Sequence, residues 1–501
     1  MRWTSGLALT LLLAPLPAQA QDPAPKTLDQ ISPEIDALFA KYQADAHIPG
    51  MVYGVVKDGK LAYVKGVGLQ DLTEKRAVTA DSRFRIASMT KAFTALAILK
   101  LRDDGKLRLD DLAEQHVPEM KRWVYPTKDS PRIRVRDLIH HVGGLVTDDP
   151  WGDRQQILSQ QDFTKMIAAG VPFSRAPQSA FEYSNYGYAL LGRIIANASG
   201  MAYADYVRQA ILTPLGMTSS GFDVTITPKV HYARGYRWEN NAWAPEPEMI
   251  DGAFNAMGGM QVSANDYAKW VAFLLSAWPA RDDTDPGPVK RATVREMVQG
   301  LNFIVVSNRI GASGATACKQ AAAYAMGWRV AQDCDLGLTL AHGGGYPGYG
   351  SHVMLMPDHG VGVFALSNRT YAGPSAPAWD SAVAMDKAGL LTGRAERVTP
   401  AVTDAFAAIR AAYATGTLAP LDGKLAMNFL LDRSAENWTA ELAKLKAEVG
   451  DCPIAEPLAP TGALSAAFRL NCAKGKLEGL MLLAPTTPAT IQALRLRVAA
   501  P

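Results

Sequence analysis

The sequence is poor in the residues that build most protein metal sites. Only four cysteines and eight histidines occur among 501 residues, and no Cys-x-x-Cys or close Cys/His spacing is present, so no metal site is predicted. The sequence also lacks an excess of charge of one sign, with 51 basic and 48 acidic side chains. Because no basic run is interleaved with aromatic residues either, a nucleic-acid partner is not expected.

Long apolar runs are missing as well. After residue 20, no uninterrupted stretch reaches the roughly 18 apolar residues that a membrane-spanning helix needs. Residues 1–20 combine Arg2, a short apolar run ending at Leu16 and the small residues Ala18-Gln-Ala20, which together predict a cleavable secretory signal. We therefore expect a periplasmic or secreted protein without a stable membrane span after signal removal. An uncleaved anchor is the lesser alternative.

The few cysteines fall into two close pairs, Cys318 with Cys334 and Cys452 with Cys472. Export implies an oxidising compartment, so these pairs are the favoured disulfides among the three possible pairings. Each would close a short loop and could contribute about 3 kcal/mol by the chain-entropy model.

The mature chain of about 480 residues is long for a single core, so two domains are expected. The composition changes near Val398. We predict one domain over residues 27–395 and a small C-terminal α+β domain of unknown role over residues 396–501. The elements predicted for the small domain are two helices, Ala401 to Ala414 and Ala435 to Val449, and three strands, Ala463 to Asn471, Lys476 to Leu483 and Ile491 to Val498.

The larger domain begins and ends with strand patterns. Asp58-Gly59 lies between two strand-like runs and is a strong β-hairpin signal. The sequence between the two ends is mostly helical. Pairing of early and late strands would pack helices on an antiparallel sheet, so the predicted fold class is α+β. The late strand-like runs are Tyr324 to Ala331, Gly337 to Ala341, His352 to Met356 and Val361 to Ser367.

A serine and a lysine three residues apart precede an apolar, helix-forming segment. After Ser88-Met-Thr-Lys91 the chain is rich in Ala and Leu and free of Gly and Pro, which predicts a buried helix to about Leu101. Ser88 and Lys91 would then share one helical face. A lysine kept neutral by burial could accept the serine's proton. The alternative, favoured for an isolated match, is an exposed lysine and a helix-capping serine.

Two later motifs bear on this choice. In Tyr183-Ser-Asn185, a phenol beside an ammonium group could relay a proton, and the amide could hold a carbonyl. A core tyrosine and a helix-capping asparagine are the alternatives.

In His342-Gly-Gly-Gly345, the glycines would let backbone N–H groups approach and stabilise an oxyanion. A flexible turn with a surface histidine is the alternative there.

The order and spacing of these motifs resemble the serine β-lactamase and penicillin-binding-protein superfamily. The closest resemblance is to the branch that contains class C β-lactamases, D-aminopeptidases and related esterases, and it covers roughly residues 30–390. Further stretches match in the same order: Phe84-Arg-Ile-Ala87, Val135-Arg-Asp-Leu-Ile-His-His-Val-Gly-Gly-Leu145, Pro214-Leu-Gly-Met217, Gly258-Gly-Met260, Tyr324-Ala-Met-Gly-Trp328 and Pro347-Gly-Tyr-Gly-Ser351. The last hundred residues lie outside it.

The resemblance implies an antiparallel sheet flanked by helices, a mostly helical middle lobe, and an acyl-enzyme mechanism that needs no metal or cofactor. The general base is left open between the lysine and the tyrosine, and Asn185 would hold either the substrate amide or the lysine. The implied catalytic groups are Ser88, Lys91 and Tyr183, the substrate-binding groups are Asn185, His342, Gly343 and Gly344, and the oxyanion hole is formed by the N–H groups of Ser88 and Gly345.

One departure from the superfamily bears on the substrate. Penicillin-active members usually carry Lys-Thr-Gly or Lys-Ser-Gly where His342-Gly343 stands here. A neutral imidazole and a glycine bind a carboxylate less well. The expected substrates are therefore small molecules or peptides whose ester or amide bond has no free carboxylate at that end.

The sequence thus predicts an exported serine hydrolase that resembles the esterases or D-aminopeptidases. A β-lactamase or DD-carboxypeptidase is the first alternative. A slowly deacylating penicillin-binding sensor is the second. The oligomeric state is left open.

Overall fold

The computed structural model describes residues 26–309, 319–393 and 398–499. The predicted signal over residues 1–20, the predicted boundary between residues 395 and 396, and Cys318 lie outside the described residues. Within the described ranges, no helix combines the length and the apolarity that crossing a membrane requires.

Most of the longer helices begin where a side-chain oxygen accepts a hydrogen bond from the first helical turn. Ser184 and Ser434 cap their helices in this way, and each relieves a backbone N–H that has no partner inside the helix. The helices are α1 Leu28–Asp45, α2 Thr90–Asp103, α3 Ala113–His116, α4 Val135–Ile139, α5 Gln160–Ala169, α6 Asn185–Ser199, α7 Tyr203–Val207, α8 Asn255–Gly258, α9 Ala264–Leu275, α10 Arg291–Met297, α11 Ser375–Lys387, α12 Pro400–Thr415, α13 Phe429–Asp432 and α14 Ala435–Val449.

Most strands lie within residues 50–85 and 302–367 and near the C-terminus, and three short strands lie between residues 236 and 262. They are β1 Gly50–Lys57, β2 Lys60–Asp71, β3 Arg76–Ala77, β4 Phe84–Arg85, β5 Tyr236–Glu239, β6 Ala242–Pro245, β7 Gln261–Val262, β8 Asn302–Asn308, β9 Lys319–Tyr324, β10 Arg329–Asp333, β11 Gly337–Tyr346, β12 Tyr349–Met356, β13 Val361–Ser367, β14 Ile454–Ala455, β15 Ala459–Gly462, β16 Ser465–Cys472, β17 Gly475–Ala484 and β18 Thr490–Val498.

A nine-stranded antiparallel sheet joins the early and late strands. Its order is β3-β2-β1-β13-β12-β11-β10-β9-β8, so β1 pairs with β13 although about 300 residues separate them in sequence. The hairpin predicted at Asp58-Gly59 connects β1 and β2. The α+β fold class is confirmed, and β11 and β12 of this sheet contact the 3₁₀ turn Ala87–Met89 that leads into the helix carrying Lys91.

One strand was predicted wrongly. The run Tyr324 to Ala331 is not a single strand, because a turn over residues 325–328 separates β9 from β10. Gly327 in this turn has φ +77°, a conformation that glycine adopts without strain. Residues 324 and 329 consequently pair with each other across a hairpin.

Both faces of the sheet are covered by apolar side chains. One face packs against α9, whose Trp270 stacks on Phe93 of α2, and α2 in turn packs against α6; Phe93, Leu190 and Trp270 are all fully buried in this core. The other face packs against α1 and α11, whose Ile35 and Ala382 are also fully buried. Because both faces of the sheet are covered, β11, which contacts the 3₁₀ turn immediately before α2, is held in a rigid setting.

The C-terminal residues form a second sheet with an apolar cluster of its own. The strand order is β14-β16-β17-β18, and β15 also pairs with β16. Leu442 of α14 and Ile409 of α12 pack with the sheet residue Met481 in this cluster. The predicted disulfide between Cys452 and Cys472 is present. The pairing of Cys334 with Cys318 stays a prediction, because Cys318 is not among the described residues.

Candidate active site

Ser88 lies in a tight 3₁₀ turn, Ala87–Met89, that leads directly into α2. The helix begins at Thr90, two residues earlier than the predicted apolar run, and Ser88 is only 8% exposed. Ala87 has φ +48°, a left-handed conformation that costs a residue with a side chain about 1–3 kcal/mol. The surrounding packing therefore holds Ala87, the residue before the serine, in an unfavourable backbone geometry.

Lys91 is fully buried and its ammonium nitrogen has three oxygen neighbours. Nζ lies 3.0 Å from the Ser88 hydroxyl, 2.8 Å from Asn185 Oδ1 and 2.7 Å from the Met257 carbonyl. A neutral amine has two N–H groups and one lone pair. The amide and the carbonyl can only accept, so they take both N–H groups, and the lone pair is left for the Ser88 O–H.

Burial favours the neutral form of this lysine. It lowers the pKa of Lys91 to about 8, and the charges of Asp149, Asp153 and Asp148 offset part of the effect by raising it. A pKa near 8 leaves about a tenth of the amine neutral at pH 7 and about half at pH 8. The site therefore keeps a substantial fraction of the Lys91 amine neutral, which is what proton transfer from Ser88 requires.

The three aspartates form an acidic cluster beside the lysine. Asp148 accepts the backbone N–H groups of Asn185 and Tyr186, at 2.7 and 2.8 Å. Burial raises the pKa of Asp148, and burial together with the charge of Asp149 raises that of Asp153 to about 7. Asp149 is exposed and accepts a hydrogen bond from Asn185 Nδ2. The cluster gives this part of the cleft a negative potential.

The second motif is built around the start of α6. Ser184, not Asn185, caps this helix. Both ends of the Asn185 amide are engaged, since Oδ1 accepts from Lys91 and Nδ2 donates to Asp149. Of its two predicted roles, Asn185 therefore fills that of holding the lysine.

Tyr183 stands over the same lysine. Lys91 Nζ lies 4.8 Å from the centre of the Tyr183 ring. Burial raises the pKa of Tyr183 well above its usual value, and the charge of Asp149 raises it further, while the hydrogen bond between Tyr183 and Ser88 opposes them. The tyrosine is therefore a neutral phenol beside Ser88, not a phenolate.

His141 fixes the position of this motif. Its Nδ1 accepts a hydrogen bond from the Ser184 N–H at 3.0 Å, and its ring lies 4.4 Å from that of Tyr183. Burial and the charge of Lys91 hold the pKa of His141 well below its usual value, so the ring stays neutral and can accept. The sequence offered His141 only as part of a matching stretch, without a role.

The third motif lies on β11, and its histidine is neutral. Burial and the charge of Lys91 lower the pKa of His342 to about 4. A carbonyl can only accept, so His342 Nδ1 donates to the Gly343 oxygen at 2.6 Å, and Nε2 accepts from the Tyr324 hydroxyl at 3.1 Å. Both ring nitrogens are occupied, which leaves no cation and no free donor on His342.

Gly344 brings β11 close to the nucleophile turn. A Cβ atom on Gly344 would lie 2.3 Å from the Ile86 carbonyl oxygen and 2.2 Å from Ser351 Oγ, so no side chain fits there. Gly344 therefore serves close packing against the turn that carries Ser88. Gly343, by contrast, is exposed.

The N–H of Gly345 is free to face the cleft. The β11–β12 hairpin has a two-residue turn, and Tyr346 pairs with Tyr349 beside it. Hydrogen-bonded and non-hydrogen-bonded pairs alternate from that point, so the N–H of Gly345 points away from β12. The other neighbour, β10, ends its pairing at Ala341. The Ser88 N–H lies near the start of its turn and has no carbonyl within that turn to bond.

A cluster of potential metal ligands outside the cleft is already paired with an arginine side chain. Asp333 and Asp335 flank Cys334. Arg309 Nε donates to Asp333 at 2.8 Å, and its Nη2 donates to Asp335 at 2.7 Å. This group is an ion pair of the sheet edge.

The structure thus brings the three predicted motifs to one cleft. It adds groups that the sequence did not indicate: the aspartates 148, 149 and 153, and Tyr371, whose hydroxyl donates to Asp153 at 3.0 Å. The aspartates lie in a loop without periodicity, and Tyr371 lies about 280 residues from Ser88. No local pattern marks either as part of the site.

A profile of the family described as Beta-lactamase matches residues 35–385. "Protein flp" of Staphylococcus aureus (strain COL) is 30% identical over 341 residues, which are 67% of this chain and 62% of that protein. "Beta-lactamase-like protein 2" of Dictyostelium discoideum is 32% identical over 277 residues, 53% of this chain and 49% of that protein. The chain thus spans less than two thirds of either relative.

Among solved structures, the octameric penicillin-binding protein homologue from Pyrococcus abyssi superposes with a TM-score of 0.57 at 20% sequence identity. The superposition covers 93% of this chain and 99% of that one. At this level of identity the likeness establishes a shared fold.

Proposed function

This chain belongs to the beta-lactamase family, and on that premise we propose that it hydrolyses ester or amide bonds through an acyl-enzyme on Ser88. The predicted fold, an antiparallel sheet flanked by helices with a mostly helical lobe, and the superfamily of β-lactamase-like and penicillin-binding-protein-like serine hydrolases are confirmed. The observation that carries the proposal is the buried Lys91 amine, 3.0 Å from the Ser88 hydroxyl with a pKa of about 8.

In the acylation step, we assign the role of general base to Lys91. Its lone pair takes the Ser88 proton while Oγ bonds to the substrate carbonyl carbon, and the carbonyl oxygen becomes an oxyanion held by the N–H groups of Ser88 and Gly345. Such a donor is worth about 3–4 kcal/mol. Collapse of the oxyanion breaks the bond to the alcohol or amine, which leaves with one proton.

The tyrosine is suited to carry that proton. Because Tyr183 is a neutral phenol hydrogen-bonded to Ser88, it can donate its proton to the leaving group, and the proton that Lys91 took from Ser88 then restores the phenol. In deacylation, water attacks the acyl carbonyl as the Lys91 amine takes one of its protons, and the resulting ammonium gives that proton to Ser88 Oγ as the Ser88–acyl bond breaks. The products are a carboxylic acid and the free enzyme.

Electrostatics favour substrates without a carboxylate near the third motif. His342 is neutral with both nitrogens engaged, and three aspartates raise the negative potential beside Lys91. A carboxylate therefore finds no cation and no free donor on His342, and the acidic cluster repels a carboxylate beside Lys91, whereas a neutral or ammonium-bearing group is not repelled. This supports an esterase-like or D-aminopeptidase-like activity over a β-lactamase or DD-carboxypeptidase.

Initial rates of the purified mature protein on three substrates test the assignment. We expect Ser88-dependent hydrolysis of a short-chain aryl ester or a D-alanine anilide and little turnover of a chromogenic cephalosporin. Fast cephalosporin turnover would overturn the substrate assignment and favour the β-lactamase alternative.

Replacing His342 with lysine should shift this selectivity. A cation at the third motif can form a charge-assisted hydrogen bond worth about 1.5–3 kcal/mol with a carboxylate, so we expect His342→Lys to raise the ratio of cephalosporin to ester kcat/KM about tenfold or more. His342→Gln, which is neutral, is the matched control and should leave the ratio unchanged. An equal ratio in all three proteins would contradict a selective role for this position.

We also propose export, which is supported by the N-terminal pattern and by the Cys452–Cys472 disulfide. The intact mass of protein recovered from the periplasm or medium should correspond to a chain beginning at Gln21. Iodoacetamide should add nothing before reduction. Full-length mass, or thiols that react without reduction, would argue against an exported, disulfide-bonded form.

A further inference from the structure

Tyr371 connects the two sides of the cleft. It follows β13, and its ring lies against Gly345: a Cβ atom on Gly345 would be 2.7 Å from Tyr371 Cδ1. The Tyr371 hydroxyl donates to Asp153 Oδ2 at 3.0 Å. Asp153 belongs to the helical side, in the 3₁₀ turn Gly152–Gln155, and is 2% exposed. One side chain thus reaches from the last glycine of the third motif to the opposite wall.

The backbone holds Tyr371 in this place. Its φ is +56°, a left-handed conformation that persists only where the surroundings fix it. The preceding Thr370 donates its N–H to the Tyr236 carbonyl at 2.8 Å and its hydroxyl to Glu246 at 2.9 Å. The following Ala372 carbonyl accepts from Ser367 Oγ at 2.8 Å. Hydrogen bonds to the residues before and after it therefore hold Tyr371 in place.

The proton path sets the direction of the substrate. The leaving group must lie where Tyr183 can protonate it, and the Tyr183 ring is 6.4 Å from that of His342. The leaving group therefore occupies the His342 end of β11. Gly345 is three positions beyond His342, a distance of about 10 Å along an extended strand. The acyl substituent then extends toward the opposite end, where Tyr371 and Asp153 meet.

We propose that the Tyr371–Asp153 bridge closes the acyl end of the cleft and restricts the enzyme to short acyl groups. The inference rests on the proposed function, because it concerns the acyl group that Ser88 receives. A long acyl chain has to displace the ring or break its hydrogen bond, and a misfit of even one methylene changes kcat/KM by about tenfold or more. Tyr371 is a specificity-determining residue in this arrangement.

Two variants separate the ring from its hydrogen bond. Tyr371→Phe keeps the ring and removes the bond to Asp153. Tyr371→Gly removes the ring at a position whose φ suits glycine. The substrates are p-nitrophenyl acetate and p-nitrophenyl octanoate, which share one leaving group. We expect the octanoate-to-acetate ratio of kcat/KM to rise about tenfold in Tyr371→Gly and by a smaller factor in Tyr371→Phe.

A second pair of substrates excludes a merely structural effect. The acetates of p-nitrophenol and of a bulkier naphthol differ only at the leaving group, which lies at the other end of the cleft, so their ratio should stay the same in both variants. An unchanged octanoate-to-acetate ratio in either folded variant, or an equal change in the naphthol ratio, would overturn the inference. Absence of Ser88-dependent acetate hydrolysis in the wild type would instead refute the proposed function and, with it, this role of Tyr371.

Discussion

Replacing Ser88 with alanine should lower kcat for an aryl ester by about 10⁶, the loss seen when a nucleophile that acts as a unit with its base is removed. The residual groups can still bind substrate and polarise its carbonyl, but no oxygen remains to form the acyl bond. The substitution removes only one hydroxyl. In the variant, Lys91 still has two hydrogen-bond acceptors, Asn185 Oδ1 and the Met257 carbonyl. The fold should therefore survive. Initial rates and thermal unfolding of both proteins measure the two effects.

Ser381→Ala is a matched control for this experiment. Ser381 is also fully buried, on α11, where its hydroxyl donates to the Pro377 carbonyl at 2.7 Å. It has no contact with the cleft groups, so its loss should leave ester hydrolysis near the wild-type rate. A Ser88→Ala protein that retained hydrolysis within about tenfold of wild type would remove the basis for the whole site.

Replacing Lys91 should be the second most damaging change. A positioned general base contributes about 10²–10⁴ in rate, and Lys91→Met should lose that factor in the acylation step. The methionine also leaves the Met257 carbonyl and Asn185 Oδ1 without their donor, which costs about 1–3 kcal/mol of folding stability for each group. Pre-steady-state release of p-nitrophenol measures acylation, and denaturant unfolding measures stability.

Lys91→Arg distinguishes the base from the charge. Arginine keeps the positive charge, but its pKa above about 12 prevents it from accepting a proton. The loss of acylation should therefore be similar to that in Lys91→Met. An arginine variant that acylates at a rate near wild type would show that charge, and not proton acceptance, is what the position supplies.

The same assignment predicts the pH dependence of acylation. Only neutral Lys91 can take the Ser88 proton, so the rate should rise with pH and level off above the lysine pKa of about 8. Asp149 is the largest of the charges that raise this pKa. Asp149→Asn should therefore move the midpoint to lower pH. A rate that is independent of pH between about 6 and 9 would contradict Lys91 as the base.

The sequence could predict those parts of the site that depend on local spacing. Ser88 and Lys91 meet because three residues form nearly one helical turn, and the apolar run after them requires burial. Asn185 reaches the same lysine from the start of α6. The neutral state of His342 was also expected, and its burial and its bonds to Gly343 and Tyr324 supply the physical reason.

The rest of the site depends on contacts that no periodicity reveals. Asp149 and Asp153 lie in a loop, and their effect on Lys91 arises only when that loop folds against α2 and α6. Tyr371 is placed by the turn after β13. The left-handed backbone of Ala87 is imposed by packing and is not indicated by its residue type.

Strand boundaries were less predictable than strand existence. The hairpin at Asp58-Gly59 was expected because its turn residues are diagnostic. The run from Tyr324 to Ala331 contains only one glycine to mark its turn, so its sequence pattern predicts a continuous strand. The β9–β10 hairpin places the Tyr324 hydroxyl 3.1 Å from His342 Nε2. The hairpin that the sequence did not predict is therefore part of the site.

Time-resolved intact-mass spectrometry of the wild-type protein with p-nitrophenyl acetate tests the acyl-enzyme most directly. We predict a transient mass increase of one acetyl group that maps to the peptide containing Ser88 and returns to the free mass as substrate is consumed. An adduct that persists would instead support the slowly deacylating sensor. Turnover without an adduct on Ser88, or with an adduct on another residue, would contradict the proposed mechanism.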